Sequence, residues 1–412
     1  MRLNREGVDR SLFRTFYHSV DWKDKDHMKT LNVGMLGTGF MGRTHSNAFN
    51  QVGHFFDLPF KTVLKTCVGR NPESLQKFQK AWGYEKTETD WRKVVEDPEI
   101  DIIDVVTPNF LHKEMVIAAA QAGKMIICEK PLAMNYAEAE EMADAVEKAG
   151  VHTAVSFCYR RNPSVALFKQ LVDENRIGRP FHYRATYNQD YTISKKVPVG
   201  GSSLWRLDAK VAGSGVTGDL LAHSIDCAEW LNGPIERVCA HTEIFIKERQ
   251  NAETGATTPI TIDDACMFMA IFKNGSIGTF ESSRYARGRK NFNTMEMNGE
   301  NGACYFNLEE PEYLQFFRYA DPETGKKVED HLTGWQKILV TNSEHPYMNH
   351  YWVPGTVIGY EHYFINQLAD FLLEVAGQKP VYSVPTVKDA ARIQKVCDAV
   401  IQSAKEDRWV QI

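Results

Sequence analysis

A doubly wound parallel α/β domain followed by an α+β domain with a large, mainly antiparallel open sheet is the fold this sequence predicts. Three observations carry that expectation. Between residues 31 and 158 short apolar strands alternate with helix-like stretches, and a right-handed crossover between parallel strands needs a helix to return the chain. From residue 159 onward several stretches alternate polar and apolar, spaced too closely for such crossovers. Asn274-Gly275 joins two of them, a strong hairpin signal.

The elements follow in order. Residues 1–30 are charged and aromatic without a clear period. They are expected to be an N-terminal extension, either an arm that docks on a partner subunit or a start-site extension ahead of Met28. A strand is expected over 31–36, then a helix to about Val52 and a second strand over 62–68. The next helix opens at Pro72, a residue suited to a first turn. A third strand covers 102–106, a helix runs 112–122 up to Gly123, and a fourth strand covers 125–128. A helix rich in Ala and Glu spans 136–149 and closes at Gly150, before a strand over 153–157.

This first unit is set at 31–158 and the second at 159–412. In the second, strands are expected over 181–188, 238–245, 265–272, 275–282, 293–297 and 303–307. Helices over 164–175 and 219–231 cover one sheet face, and 362–376 and 387–405 close the chain. The stretch 333–359 lacks a period but is rich in aromatics and His, which reads as a binding loop.

Composition narrows the class. At 412 residues, with 43% hydrophobic and 25% charged residues, two globular domains can bury a core unaided. The net charge of -5 is mild and there is no basic stripe, so nucleic acid is not an expected partner. Eight scattered cysteines form no C-x-x-C pair, which reads as a reducing, cytoplasmic compartment. No run approaches the roughly 18 apolar residues of a membrane span. His331, His345 and His350 match no common ligand spacing, so no metal site is expected.

Four segments carry chemistry. Gly37-Thr38-Gly39-Phe40-Met41-Gly42 follows a strand and opens a helix, the context of a Rossmann dinucleotide site. The acid that usually ends the second strand is missing, since the run there is Cys67-Val68-Gly69-Arg70. Arg70 suits either adenine stacking or a 2′-phosphate, so NAD is expected, with NADP as the alternative. Glu129-Lys130-Pro131 ends the fourth strand, where an ammonium group points at the cleft and can stabilise a forming alkoxide. Asp219, His223 and Asp226 are spaced i, i+4 and i+7, on one helical face. There a histidine is suited to take a hydroxyl proton and a neighbouring carboxylate to orient it.

Taken together, the Gly37/Gly39/Gly42 loop, Thr107-Pro108-Asn109 with His112, Glu129-Lys130-Pro131 and the Asp219–His223 segment resemble the Gfo/Idh/MocA oxidoreductases. The resemblance runs from about Leu31 to the C-terminus. It implies that Lys130, Asp219 and His223 line the active site, and that the Lys130-Pro131 peptide is cis. It also implies cofactor contacts from Phe40, Met41, Thr107, Asn109, His112 and Glu129, and assembly as a homo-oligomer.

Tyr159-Arg160-Arg161, Trp205-Arg206, Ala212–Gly215 and the 345–361 loop are similar to the levoglucosan and glycoside 3-dehydrogenase branch of that family. That likeness implies oxidation of the carbon-3 hydroxyl of a pyranose, with Tyr159, Arg160, Tyr347 and Trp352 gripping the sugar. An inositol or other polyol dehydrogenase, an NAD-dependent glycosidase and a non-catalytic cofactor-binding protein are the alternatives.

Overall fold

The computed structural model describes residues 28–200, 204–321, 323–328, 331 and 333–412. Of the expected extension, residues 1–27 lie outside them. The first sheet holds β1 (Lys29–Leu36), β2 (Phe60–Val68), β3 (Lys86–Glu88), β4 (Ile102–Val105), β5 (Met125–Cys128) and β6 (Thr153–Val155). Its order is β3-β2-β1-β4-β5-β6, and every pairing is parallel. The order reverses beside β1, so the crevice beyond the strand ends opens next to the glycine loop.

The helices between these strands are α1 (Phe40–Phe55), α2 (Pro72–Trp82), α3 (Trp91–Glu96), α4 (His112–Gln121) and α5 (Tyr136–Ala149). Their ends follow local chemistry. The Asn71 side chain accepts from the Ser74 amide ahead of Pro72, and Asn135 does the same for Glu138. Gly150, at φ 65°, ends α5 in the left-handed conformation that a Cβ disfavours. Short β3 and α3 escape the sequence reading because Lys86–Glu88 and Trp91–Glu96 are too brief to show a period.

The second sheet is mixed and mostly antiparallel. It contains β7 (Pro180–Asn188), β8 (Ile235–Glu243), β11 (Ala265–Phe272), β12 (Ile277–Ser283), β13 (Phe292–Gly299) and β14 (Gly302–Asn307). A side ribbon pairs β9 (Glu248–Gln250) with β10 (Thr257–Pro259). Three further strands were not expected: β15 (Tyr313–Arg318) and the two edge strands β16 (Trp335–Leu339) and β17 (Val410–Gln411). The order is β16-β15-β14-β13-β7-β12-β11-β8-β17, and β7 with β12 is its one parallel pair among the described residues. The expected binding loop over 333–359 therefore begins as an edge strand whose residues are almost all exposed.

The helices α6 (Pro163–Asp173), α7 (Ala209–Ala212), α8 (Ala222–Asn232), α9 (Tyr360–Val375) and α10 (Val387–Glu406) complete the chain. Helix α9 packs on α1, while α10 packs on both α5 and β8 and so bridges the two sheets. Where an α-helix was expected from Asp219, the chain first makes a π turn over Thr217–Leu221. No helix is long and apolar enough to cross a membrane among the described residues.

One buried ion pair ties the exit of the first sheet to the closing helices. Arg161, with a fully buried side chain, sits 2.8 Å from Asp370 on α9. It also donates to the carbonyls of Tyr382 and Ser383. Removing one partner strands the other charge in the core. Arg161→Met should therefore lower stability by about 3–5 kcal/mol in urea unfolding, and adding Asp370→Leu should restore much of it.

Candidate active site

The glycine loop divides three jobs among three residues. Gly37 has φ 119°, and a Cβ there would lie 2.9 Å from the Val106 carbonyl oxygen. A Cβ on Gly42 would lie 2.6 Å from the Gly37 oxygen, whereas one on Gly39 would meet nothing within 4 Å. The first and third glycines thus permit tight packing, and the second opens onto space at the helix N-terminus. Gly39 caps α1 without a side-chain hydrogen bond, and no acidic residue stands in the first turn. Its free amides and positive helix end fit a pyrophosphate.

Around that loop, Phe40 is exposed and stacks toward Tyr360 at 6.4 Å between ring centroids, while Met41 is half-buried against the core. Arg70 is exposed at the carboxyl end of β2, next to Gly69, whose amide bonds the Glu88 carbonyl. Half-buried Thr107 turns its hydroxyl to the Met115 sulfur.

Three residues expected at the cofactor make bonds within the protein. Asn109 is buried and donates to the Ala212 carbonyl at 2.9 Å, tying the β4 loop to the second domain. His112 is buried as well, its Nδ1 facing the Pro131 and Leu132 carbonyls and its Nε2 the Thr107 carbonyl at 2.9 Å. Burial pushes its pKa down. It braces the Lys130 turn and leaves no ring nitrogen for a ligand. Glu129 is buried too, with its carboxylate on His45 at 3.0 Å.

The second end of the cleft is a knot of charge. The Lys130-Pro131 peptide is cis, and Lys130 Nζ donates to the Asp219 carbonyl at 2.8 Å and to its Oδ1 at 3.2 Å. Arg284, immediately after β12 and fully buried, donates to Asp219 Oδ2 at 3.0 Å. Arg206 brings Nε to 3.6 Å from Oδ1 and lays its guanidinium over the Trp205 ring. Burial alone would raise the Asp219 pKa, but Lys130, Arg206 and Arg284 overcome it and hold the carboxyl well below the usual range. Asp219 is therefore an anion.

The π turn that carries Asp219 is pinned from below. The Asp263 carboxylate accepts from the Gly215 and Thr217 amides and from the Thr217 hydroxyl, all at 2.7–2.8 Å. Gly215 is required there, since a Cβ would fall 1.8 Å from the Asp263 oxygen. Such single π turns in helices recur at functional sites.

His223 lies one turn on, with its ring 4.6 Å from the Tyr159 ring and 6.0 Å from Phe157. Burial, with the charge of Lys130, pushes its pKa well below the ordinary histidine value, against the pull of Asp219. The imidazole is neutral, and its buried Nδ1 has no hydrogen-bond partner among the described residues.

The expected substrate set divides. Lys130, Asp219, His223 and the Tyr159 ring converge. Asp226 does not orient His223, because it forms a buried ion pair with Arg160 at 2.7 Å, which removes Arg160 from the cleft as well. Tyr347 is buried, its hydroxyl on Asp370 at 2.7 Å. Trp352 is exposed but packs edge-on to Phe55, at the far end of α1 from Gly39. The sequence reading missed Arg284, a single cation beyond a period-two strand, and Tyr191, whose ring lies 5.9 Å from its guanidinium.

Residues 31–157 match the model of the Gfo/Idh/MocA oxidoreductase family with NAD-binding Rossmann fold, and residues 165–305 match that family's C-terminal domain. The chain belongs to this family. It is thus an oxidoreductase whose N-terminal domain binds NAD, in agreement with the Gly39 cradle. It is 36% identical over 399 residues to a levoglucosan dehydrogenase of Pseudarthrobacter phenanthrenivorans, covering 93% of this chain and 99% of that one. The crystal structure of levoglucosan dehydrogenase with NADH and levoglucosan superposes with a TM-score of 0.86 at 37% identity, over 93% of this chain and 100% of that one. An oxidoreductase domain protein from Kribbella flavida superposes equally well, at a TM-score of 0.86 and 39% identity over the same shares.

Gly42→Ala should force the loop open. A fluorescence titration is expected to show the NADH dissociation constant rise about tenfold or more, about 1.4 kcal/mol.

Proposed function

We propose that this enzyme oxidises a secondary hydroxyl of a pyranose sugar or glycoside, at carbon 3, with NAD as hydride acceptor. One observation carries the reading: an ammonium and an anchored carboxylate meet in a cleft lined by Lys130, Arg206, Asp219 and Arg284, and the neutral imidazole of His223 feels the charge of both Lys130 and Asp219. NAD supplies the acceptor for the hydride. The rest belongs to side chains of the chain itself.

Neutral His223 takes the hydroxyl proton, a role that requires the unprotonated ring. Lys130 donates to the same oxygen and stabilises the negative charge that grows on it, a preorganised group that needs no rearrangement. Asp219 holds Lys130 in place and accepts from a neighbouring hydroxyl, while Arg284 keeps the carboxylate from turning away. Arg206, spread over Trp205, adds donors on a flat platform of the kind that suits a ring bearing several hydroxyls. The relatives whose names give a sugar as substrate support the choice of substrate class. Subunits pair through the outer sheet face, where Met267 and Met269 on β11 and Ile277 on β12 are exposed.

Absorbance at 340 nm with NAD or NADP and a panel of levoglucosan, glucose, aryl glycosides and inositols tests this. Reduction of NAD with pyranosides is expected, and the coenzyme preference reports on Arg70. Turnover with inositols alone would replace the substrate class, and sugar release without net NADH would make the protein a glycosidase. Lys130→Met should cut kcat by about a hundredfold or more while NADH binding stays within about threefold. Normal turnover in that variant would remove Lys130 from the mechanism. Because the His223 pKa lies below 6.5, its acid limb in kcat/KM is expected below that pH.

A further inference from the structure

Beneath the cleft lies a second charged group that the hydride step does not use. His45, on the second turn of α1, is buried between two carboxylates. Its Nδ1 is 2.9 Å from Asp104 Oδ2, in the middle of β4, and its Nε2 is 3.0 Å from Glu129 Oε1, just past β5. Glu129 Oε2 in turn accepts the backbone amide of Lys130 at 3.2 Å. One hydrogen-bonded chain therefore runs from the helix whose N-terminus fits the pyrophosphate to the residue that meets the reacting oxygen.

We propose that His45 is a positioning residue: as an imidazolium it holds the Glu129 carboxylate, and through it the Lys130 backbone, in register with the cofactor helix. The role of Lys130 rests on the function proposed above; the bridge itself does not.

Both ring nitrogens face carboxylate oxygens, and only a doubly protonated ring can donate to both. Burial raises the Asp104 carboxyl, and the charge on His45 pulls it back down. Asp104 and Glu129 are the ring's charged neighbours, Ser156 after β6 presents its hydroxyl at 3.5 Å, and Phe364 on α9 packs beside the ring. Gln367 of α9 donates to Ser156. Burial works against the cation, but the two carboxylates outweigh it and raise the His45 pKa to about 10. Truncating it would leave Asp104 and Glu129 with no cation between them, so the carboxylate on Lys130 would lose its anchor.

The sign of the linkage follows. With a folded pKa of about 10 against an ordinary 6.5, the native state holds a proton that the unfolded chain releases. The stability this group contributes is complete below pH 6.5 and lost as pH rises toward 10.

The test uses His45→Gln, with His45→Gln/Asp104→Asn as a second variant. The double variant keeps the net charge of the cluster and so guards against simple misfolding. Amide hydrogen exchange over residues 126–134, read by mass spectrometry with saturating NADH, needs no substrate. Exchange there is expected to rise about tenfold or more in both variants while the core strands β1 and β4 stay protected. With a working substrate, kcat should fall about tenfold or more with KM within about threefold. Glu129→Gln should produce a similar loss, and the His45→Gln/Glu129→Gln double should be no worse than the poorer single. Unchanged exchange at 126–134 in the folded variants overturns the bridge. Multiplying losses in the double variant overturn the route through Glu129. A wild type silent on every sugar would refute the proposed substrate and leave the bridge to be judged by exchange alone.

Discussion

The carboxylate of Asp219 is the constraint on which the cleft depends. It receives Lys130 from the end of β5 and Arg284 from the end of β12, so one side chain joins the two sheets by charge. A buried anion with a single partner is an expensive arrangement, because desolvation outweighs one Coulomb contact. Several cations with good geometry change that balance, and the depressed Asp219 pKa is the outcome. The demands on neighbouring residues follow from it. The π turn must present Asp219 at the right depth, Asp263 must hold that turn, and Gly215 must let the two backbones touch.

The same charge distribution sets the state of His223. A buried histidine beside an ammonium is pushed toward neutrality, and the nearby anion is too engaged with arginine and lysine to reverse it. His45, buried to a similar degree, goes the opposite way because its two carboxylates have no other cation within hydrogen-bond distance among the described residues. Burial penalises both rings; the neighbours decide the sign. One histidine is thereby free to accept a proton, and the other is committed to holding its own.

Much of this was legible in the sequence, for identifiable reasons. The first sheet shows because its strands are short apolar runs between helices with start signals such as Pro72 and stop signals such as Gly150. The central hairpin shows because Asn274-Gly275 admits few other turns. Strands β15 and β16, at one end of the second sheet, do not show, since short strands of mixed aromatic and polar residues resemble loops. Strand ends and helical spacing singled out Lys130, Asp219 and His223, the family resemblance implied their place in the active site, and the structure brings Lys130 onto Asp219. Asp226 shares the regular helix α8 with His223, yet its carboxylate is taken by Arg160. Tyr347 was read as a sugar contact from its place in an aromatic-rich stretch, yet its hydroxyl serves the buried Arg161–Asp370 pair. Which buried cation meets which carboxylate depends on long-range packing that spacing along the chain does not encode. Arg284, 65 residues from Asp219, is the clearest case.

Rigidity links these charge networks to chemistry. Hydride transfer tolerates little misplacement between donor carbon and acceptor ring, so the cofactor site and Lys130 must share one frame. Helix α1 carries both the open Gly39 end and His45, and α9 lies along it. Helix α10 packs on the first domain through α5 and on the second through β8. The C-terminal helices therefore belong mechanically to both sheets, although the chain reaches them last. A cleft framed this way does not need to assemble its charges on binding: the ion contacts of Lys130, Arg284 and Asp219 are already made. On the function proposed above, a substrate has only to supply a hydroxyl placed where Lys130 and His223 can share it.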